Sequence, residues 1–219
     1  MIDVTGDDGW VLRAFLSRLG LPAGELSEPS WLARLQAPGA KGRLKRSPPA
    51  AHALRTLLLT AGYDPRARGA SSARRIFKAA LAGDPPATDV LTRVRNGASL
   101  QSGLCVSQID GDRCQGPLQI RPASGVLPVA AGHDHDATGL LALHDGVGPC
   151  ASPVFDAARV AVHPGTRTVL SIVWGTGPER HVDRTVAWYS EMIERLDASS
   201  ERLLWTPRFH HLPHASNPA

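Results

Sequence analysis

The sequence predicts an α+β fold: helices first, a mixed or antiparallel sheet next, and a closing helix. Three observations predict it. Apolar residues recur at helical spacing through the first third of the chain, bracketed by capping residues. From Leu104 onward, short apolar runs alternate with Gly, Pro and Asp. A long amphipathic pattern then spans 179–196.

Val11, Phe15 and Leu19 fall every four residues, with Trp10 and Ala14 beside them, and predict a first helix ended by Gly20 and Pro22. Ser27-Glu28-Pro29 is a helix start, with Trp31, Leu32 and Leu35 on one face. Ser47-Pro48-Pro49 opens the next helix. Its stripe is Leu54, Leu57, Leu58 and Ala61, and Gly62 ends it. Asp64-Pro65 is a turn. Ser71 or Ser72 caps a helix carrying Ile76, Phe77, Ala80 and Leu81 to a stop at Gly83. Thr88 caps a short helix with Leu91 and Val94. Strands are expected near 104–109, 117–121, 126–131, 139–144, 159–163 and 167–174. The last is the most apolar and β-branched, and so central in its sheet. Val182, Val186, Tyr189, Ile193 and Leu196 face inward on the long helix, and Leu203, Leu204 and Trp205 dock the chain end. The expected organisation is an N-terminal helical extension over 1–46, a main domain over 47–206 and a tail over 207–219.

The 219 residues are 42% hydrophobic and 20% charged, enough for a sizeable core. No apolar run reaches the roughly 18 residues of a membrane span. The acidic start Met1-Ile2-Asp3-Val4 lacks the basic region of a secretory signal, so a cytoplasmic protein is expected. Cys105, Cys114 and Cys150 are too few for a disulfide framework, and none sits in a C-x-x-C pair, which argues against structural zinc and a redox dithiol. Residues 41–78 hold ten basic side chains against one acid, Asp64. That segment is either a phosphate-binding surface or a solvated helical face.

The order of motifs resembles a known family. Gly62-Tyr63-Asp64-Pro65, Arg68 and Ser71-Ser72 resemble a G-x-D-P…R-P-S-S segment. Asn96 matches the second polar residue of a D-x-x-N turn, and Ala98-Ser99-Leu100 the V-S-L after it. Ile109-Asp110 and Gly116 match Y-D-L-D-x-I-x-G. Asp145-Gly146, Gly148-Pro149 and Ser152-Pro153-x-x-Asp156-x-x-Arg159 resemble G-P-x-x-S-P-x-x-D-S-E-R. Together, over about 47–196, these are similar to the freestanding form of the B3/B4 domain of the phenylalanyl-tRNA synthetase beta subunit. The resemblance implies a B3/B4-like sheet flanked by helices. It also implies a pocket for an aromatic amino acid, free or esterified to tRNA, whose ester is hydrolysed when the amino acid is wrong. The chain departs from the pattern where that chemistry would sit. Ser107 stands in place of a histidine, Ala158 of a glutamate, Arg93 of the turn aspartate, and Gly69-Ala70 follow Arg68 in place of proline.

Candidate acid/base residues are His144, Asp156 and His163. Candidate substrate-binding residues are Arg68, Ser71, Asn96, Ser99, Ser107 and Arg159. Arg159 and Asp156 are either ligand groups or an internal ion pair. Arg74 and Arg75 follow cap serines, where a phosphate of tRNA or of a small sugar phosphate could be held. His133 and His135 in Gly132-His133-Asp134-His135-Asp136 point the same way on an extended segment but lack an evident third ligand, so no metal and no cofactor is expected. Cys105 is either a small buried residue or a nucleophile.

The first functional expectation is a trans-acting aminoacyl-tRNA deacylase that binds tRNA. The alternative is a small-molecule enzyme on the same scaffold, such as a Pictet–Spenglerase condensing a tryptophan-type amino acid with an aldehyde. The third is a non-catalytic amino-acid or tRNA binding module. A homodimer is compatible with each, and no membrane partner is expected.

Overall fold

The computed structural model describes residues 2–5, 9–36, 44–83, 89–129 and 134–203. The fold is α+β, as expected. Two four-stranded sheets are built from β1 (Ile2–Val4), β2 (Trp10–Leu19), β3 (Cys105–Asp110), β4 (Leu118–Pro122), β7 (Leu141–His144), β8 (Pro149–Ala151), β9 (Thr168–Thr176) and β10 (Ala198–Leu203). One has the order β1-β4-β7-β8 and the other β10-β2-β9-β3. β5 (Val126–Pro128) and β6 (Asp134–Asp136) form a separate hairpin. The helices are α1 (Ser30–Gln36), α2 (Pro48–Thr60), α3 (Ser72–Ala82), α4 (Val90–Ser102) and α5 (Glu179–Glu194). None of these is long and apolar enough to cross a membrane.

The helix expected over Val11–Leu19 is instead β2, an inner strand. It pairs antiparallel with β9 from Trp10↔Thr176 to Arg18↔Thr168, and with β10 on its other edge. A spacing of four residues is even, so it also keeps side chains on one face of a strand. Phe15 and Leu19 enter one core while Trp10, Leu12 and Ala14 enter the other. A strand apolar on both faces carries no alternation to betray it. The N-terminal segment thus supplies strands to both sheets, β1 pairing parallel with β4.

β9 is central, as its β-branched run predicts. Leu170, Ile172 and Trp174 enter the core shared with the β1-β4-β7-β8 sheet and α2. Val169 and Val173 enter the core beneath α1, α4 and α5. Trp10 meets Trp174 edge-on at 6.4 Å, and Phe15 meets Tyr189 at 5.2 Å. All five inward residues expected on the last helix are buried.

Helix boundaries follow local chemistry. The Ser47 hydroxyl accepts from the Ala50 amide ahead of two prolines, and Asp89 accepts from the Thr92 amide. The expected cap Thr88 lies outside the described residues, as do Leu204 and Trp205. Gly83 ends α3 in the left-handed region at φ 72°. α4 runs past Asn96, so Asn96, Ser99 and Leu100 lie on a helix rather than in a turn. Leu81 is solvent-exposed on α3. The strand expected at 159–163 is a 3₁₀ turn, Ala158–Val160, with one bridge from Ala161 to Ile109. β10 has a polar sequence, Ala198 to Leu203, and gains its conformation from pairing with β2.

α5 lies directly on β9 at Gly175. A methyl group there would stand 2.4 Å from a Val182 methyl and 2.5 Å from the Val11 carbonyl oxygen. The first can retreat only by lifting α5 off the sheet, and the second only by parting β2 from β9. Gly175→Ala is therefore expected to lower unfolding free energy by about 1–3 kcal/mol, read as a lower denaturation midpoint in urea.

Candidate functional site

β3 is the edge strand of its sheet, and along its free edge α3, α4 and the segment 152–162 enclose a cavity of about 500 Å³. Helical spacing selects the lining. Ser72, Arg75, Ile76 and Ala79 come from one face of α3, and Thr92, Arg95 and Asn96 from one face of α4. The Ser72 amide and hydroxyl both donate to the Pro153 carbonyl, at 3.0 and 3.1 Å, and fasten α3 to the 152–156 segment. Ser152 closes that segment by donating to the Phe155 carbonyl and accepting from the Val154 and Phe155 amides.

The pocket is charged at three points. Asp156 is 17% exposed. Its Oδ2 accepts from the Gln108 amide on the β3 edge at 3.4 Å and lies 3.7 Å from Arg95. Its Oδ1 has no hydrogen-bond partner. Burial raises the carboxyl pKa above its ordinary value. Arg95, the Gln108 amide and Arg75 oppose that shift without cancelling it. Arg95 also donates to Asn96 Oδ1 at 3.1 and 3.3 Å, so Asn96 orients a cation. Arg75 donates to the Ala70 and Val154 carbonyls, both at 2.6 Å, and stacks on Phe155 at 4.1 Å. Burial lowers its pKa, yet a guanidinium remains charged.

Phe155 packs on its other side against His135, 4.3 Å between centroids. The Tyr63 hydroxyl lies 2.7 Å from the Arg68 carbonyl and 2.9 Å from His135 Nε2. A phenol has one proton, so donation to the carbonyl leaves His135 Nε2–H to donate to the tyrosine. Burial, with Arg68 and Arg75 nearby, lowers the His135 pKa and favours that neutral ring.

Asp156, Asn96, Ser107 and Arg75 are thus brought to one cavity. The Ser107 hydroxyl donates to the Ser152 carbonyl and accepts from Trp174 Nε1 at 2.8 Å. The other candidates lie elsewhere. Arg68 holds the Gly62, Asp136 and Thr138 carbonyls and pairs with Asp136, tying the β5–β6 hairpin down. Ser99 donates to the Leu104 carbonyl inside the core. Arg159 forms a two-pronged pair with Asp145, both bonds 2.7 Å, rather than meeting Asp156. His163 Nε2 lies 3.1 Å from Asp110, and its Nδ1 accepts from the Gly165 amide. His144 is buried in β7 with neither ring nitrogen hydrogen-bonded. Burial and then Arg121 lower its pKa, keeping it neutral. Arg93 pairs with Glu28. Cys105 is fully buried, and burial pushes its thiol up, which removes it as a nucleophile. His133 lies outside the described residues.

Sequence reading missed Arg95, Phe155 and Gln108. The signal for Arg95 was the Thr92-Arg95-Asn96 spacing, a polar stripe on a helix otherwise buried.

The basic segment divides. Arg68 and Arg75 turn inward. Arg46, Arg55, Arg74 and Lys78 instead line a groove of about 420 Å³ between α2 and α3, and Ser71 lies at its edge. Leu54, Leu58, Phe77 and Leu81 make up its apolar walls. Arg46 lies 3.5 Å above the Phe77 ring. α3 is the wall shared by groove and pocket.

Asp145 anchors the turn leading into β8. Burial raises its pKa, but Arg159 and the Gln115, Val147 and Gly148 amides outweigh burial and hold it at about 2. Its folded pKa lies below the unfolded value of about 3.9. The stabilisation is therefore present above about pH 4 and lost as pH falls toward about 2. Asp145→Asn is expected to cost roughly 2–3 kcal/mol at neutral pH and to flatten the acid limb of a stability–pH curve measured by urea denaturation. No family model and no curated protein matches the chain.

Proposed function

We propose that the β3-edge pocket binds a free aromatic α-amino acid and that the protein condenses its amine with an aldehyde, a Pictet–Spengler reaction. The observation that carries this reading is the charge set of two guanidinium groups and one buried carboxylate with an unpartnered oxygen. A zwitterionic amino acid complements all three, its carboxylate toward Arg95 and Arg75 and its ammonium toward the exposed part of the Asp156 carboxylate. An aminoacyl ester brings only the ammonium into a site already net positive. At an effective dielectric near 20, one uncompensated charge contact at 4 Å is worth about 4 kcal/mol, which is enough to decide between them. Phe155 and Val129, with Ile76, Val106 and Val162, offer the apolar lining a ring needs. The B3/B4 resemblance supports a pocket of this class.

In the proposed reaction Asp156 takes a proton from the ammonium, and the amine adds to the aldehyde carbon. Asp156 passes that proton to the departing hydroxyl, so that water leaves, an iminium forms and the carboxylate is regenerated. The ring carbon attacks it, and the ring proton passes to Asp156. A carboxyl whose pKa is raised by burial is suited to these transfers. The free thiols at all three cysteines suit a reducing, cytoplasmic setting.

A second reading, the trans-acting aminoacyl-tRNA deacylase, is favoured by the groove. Arg46, Arg55, Arg74 and Lys78 stand on the far side of the helix that walls the pocket, where they could track phosphates.

Calorimetry with L-Trp, L-Phe and L-Tyr tests the first reading. Binding should strengthen as pH rises through the raised Asp156 pKa, because ammonium binding needs the carboxylate. Asp156→Asn and Arg95→Ala should each weaken it about 10- to 100-fold. Asp156→Asn should also raise Tm at neutral pH. A carboxyl with a raised folded pKa loses stability as pH climbs from its unfolded value, and asparagine removes that loss. No binding of any free aromatic amino acid would sink the reading. Salt-sensitive tRNA binding, lost in Arg55→Ala/Arg74→Ala, would shift the assignment to the deacylase.

A further inference from the structure

Outside the pocket, the fold assembles one cluster of thiols that sequence spacing gave no reason to expect. Cys114 follows a 3₁₀ turn at the end of β3, and Cys150 lies in the middle of β8, thirty-six positions away. Their sulfur atoms and an Asp145 carboxylate oxygen all lie within 4.8 Å of one another. Cys150 is fully buried and Cys114 is half-buried. Two thiols and a carboxylate could hold a thiophilic metal, but the carboxylate has no capacity left. Asp145 already accepts both prongs of Arg159 and the Gln115, Val147 and Gly148 amides. What remains is an asymmetric pair, one thiol reachable from solvent and the other shielded behind it.

We propose that Cys114 and Cys150 form a peroxide-reactive dithiol, in which Cys114 is the sulfur oxidised first and Cys150 resolves it as an intramolecular disulfide. The Cys114 thiolate attacks one oxygen of a hydroperoxide and the O–O bond breaks. Cys114 becomes a sulfenic acid, and the leaving oxygen takes a proton to become water or an alcohol. The Cys150 sulfur then attacks Cys114, forming S–S as S–O breaks, and the hydroxyl departs as water with the Cys150 proton. Two thiols and one hydroperoxide give one disulfide, one water and one water or alcohol, and the two electrons from sulfur reduce the O–O bond. The surroundings favour this order. The Cys114 thiol donates to the Asp110 carbonyl and the Cys150 thiol to the Leu143 carbonyl; the neighbouring Cys150 sulfur and Arg159 lower the Cys114 pKa against burial and Asp145, while Cys114 and burial raise that of Cys150. Cys105, fully buried, stays outside the reaction.

The pair is wired to the pocket through backbone. The Cys150 carbonyl accepts from the Ala157 amide at 2.8 Å, and Ala151 bridges Asp156. The oxidation chemistry itself does not depend on what the pocket binds.

The test treats the reduced full chain with stoichiometric hydrogen peroxide and maps the thiols by mass spectrometry. The expected product has lost two hydrogens and contains a Cys114–Cys150 cross-linked peptide, with Cys105 still alkylatable. In Cys150→Ser, dimedone should label Cys114. In Cys114→Ser, peroxide consumption should fall roughly tenfold or more, while Tm of the reduced protein is nearly unchanged because Cys150 keeps its place in the core. A chain that keeps all three thiols, forms a disulfide through Cys105, or accumulates dimedone on Cys150 overturns the proposal. So does a reduced protein that binds stoichiometric Zn²⁺ through Cys114 and Cys150 and resists peroxide.

Discussion

β9 is buried on both faces and paired on both edges, and the other elements are arranged to keep it so. A nine-residue strand with every side chain hidden needs one cover on each face and a partner on each side. α4 and α5 cover one face, and α2 with the second sheet covers the other. β2 must then be apolar on both faces as well, because it shares both covers. Gly175 marks how close the cover comes: helix and strand backbone meet where no side chain fits.

The pocket follows from where this sheet stops. β3 has β9 on one edge and no further strand on the other, so its outer amides need partners. The Gln108 amide finds the Asp156 carboxylate, and Ile109 bridges Ala161. A carboxylate recruited to satisfy a strand edge is thereby buried beside Arg95 and Arg75, with one oxygen left over. Structural need and chemical opportunity coincide at this residue. Asp145, another buried carboxylate, shows the opposite outcome. Five hydrogen bonds saturate it, its pKa falls to about 2, and it is left with a structural role.

On spacing alone, Arg159, three residues after Asp156 in the same loop, and an arginine from elsewhere in the chain were equally eligible partners for that carboxylate. Tertiary structure separates them by role: Arg95, from a distant helix, faces Asp156, while Arg159, from the same loop as Asp156, turns to Asp145. Likewise, of the two histidines expected at strand ends, His144 ends β7 while His163 lies in the loop after a 3₁₀ turn. One is sealed in a sheet and the other is bound to Asp110 and Gly165.

The sequence by itself determined the local pieces: the Ser47 and Gly83 helix boundaries, the inward face of α5 and the centrality of β9. These rest on capping chemistry, on 3.6-residue periodicity and on β-branched runs, all of which act over a few neighbouring residues. Tertiary structure decided that 10–19 is a strand, because a four-residue repeat fits both periods and only the partners β9 and β10 choose between them. It decided that the polar run 198–203 is a strand, for the same reason. It decided which arginine faces which carboxylate, and it brought Cys114 to Cys150. Those outcomes depend on contacts between residues far apart in the chain, and no local pattern encodes which distant partner will arrive.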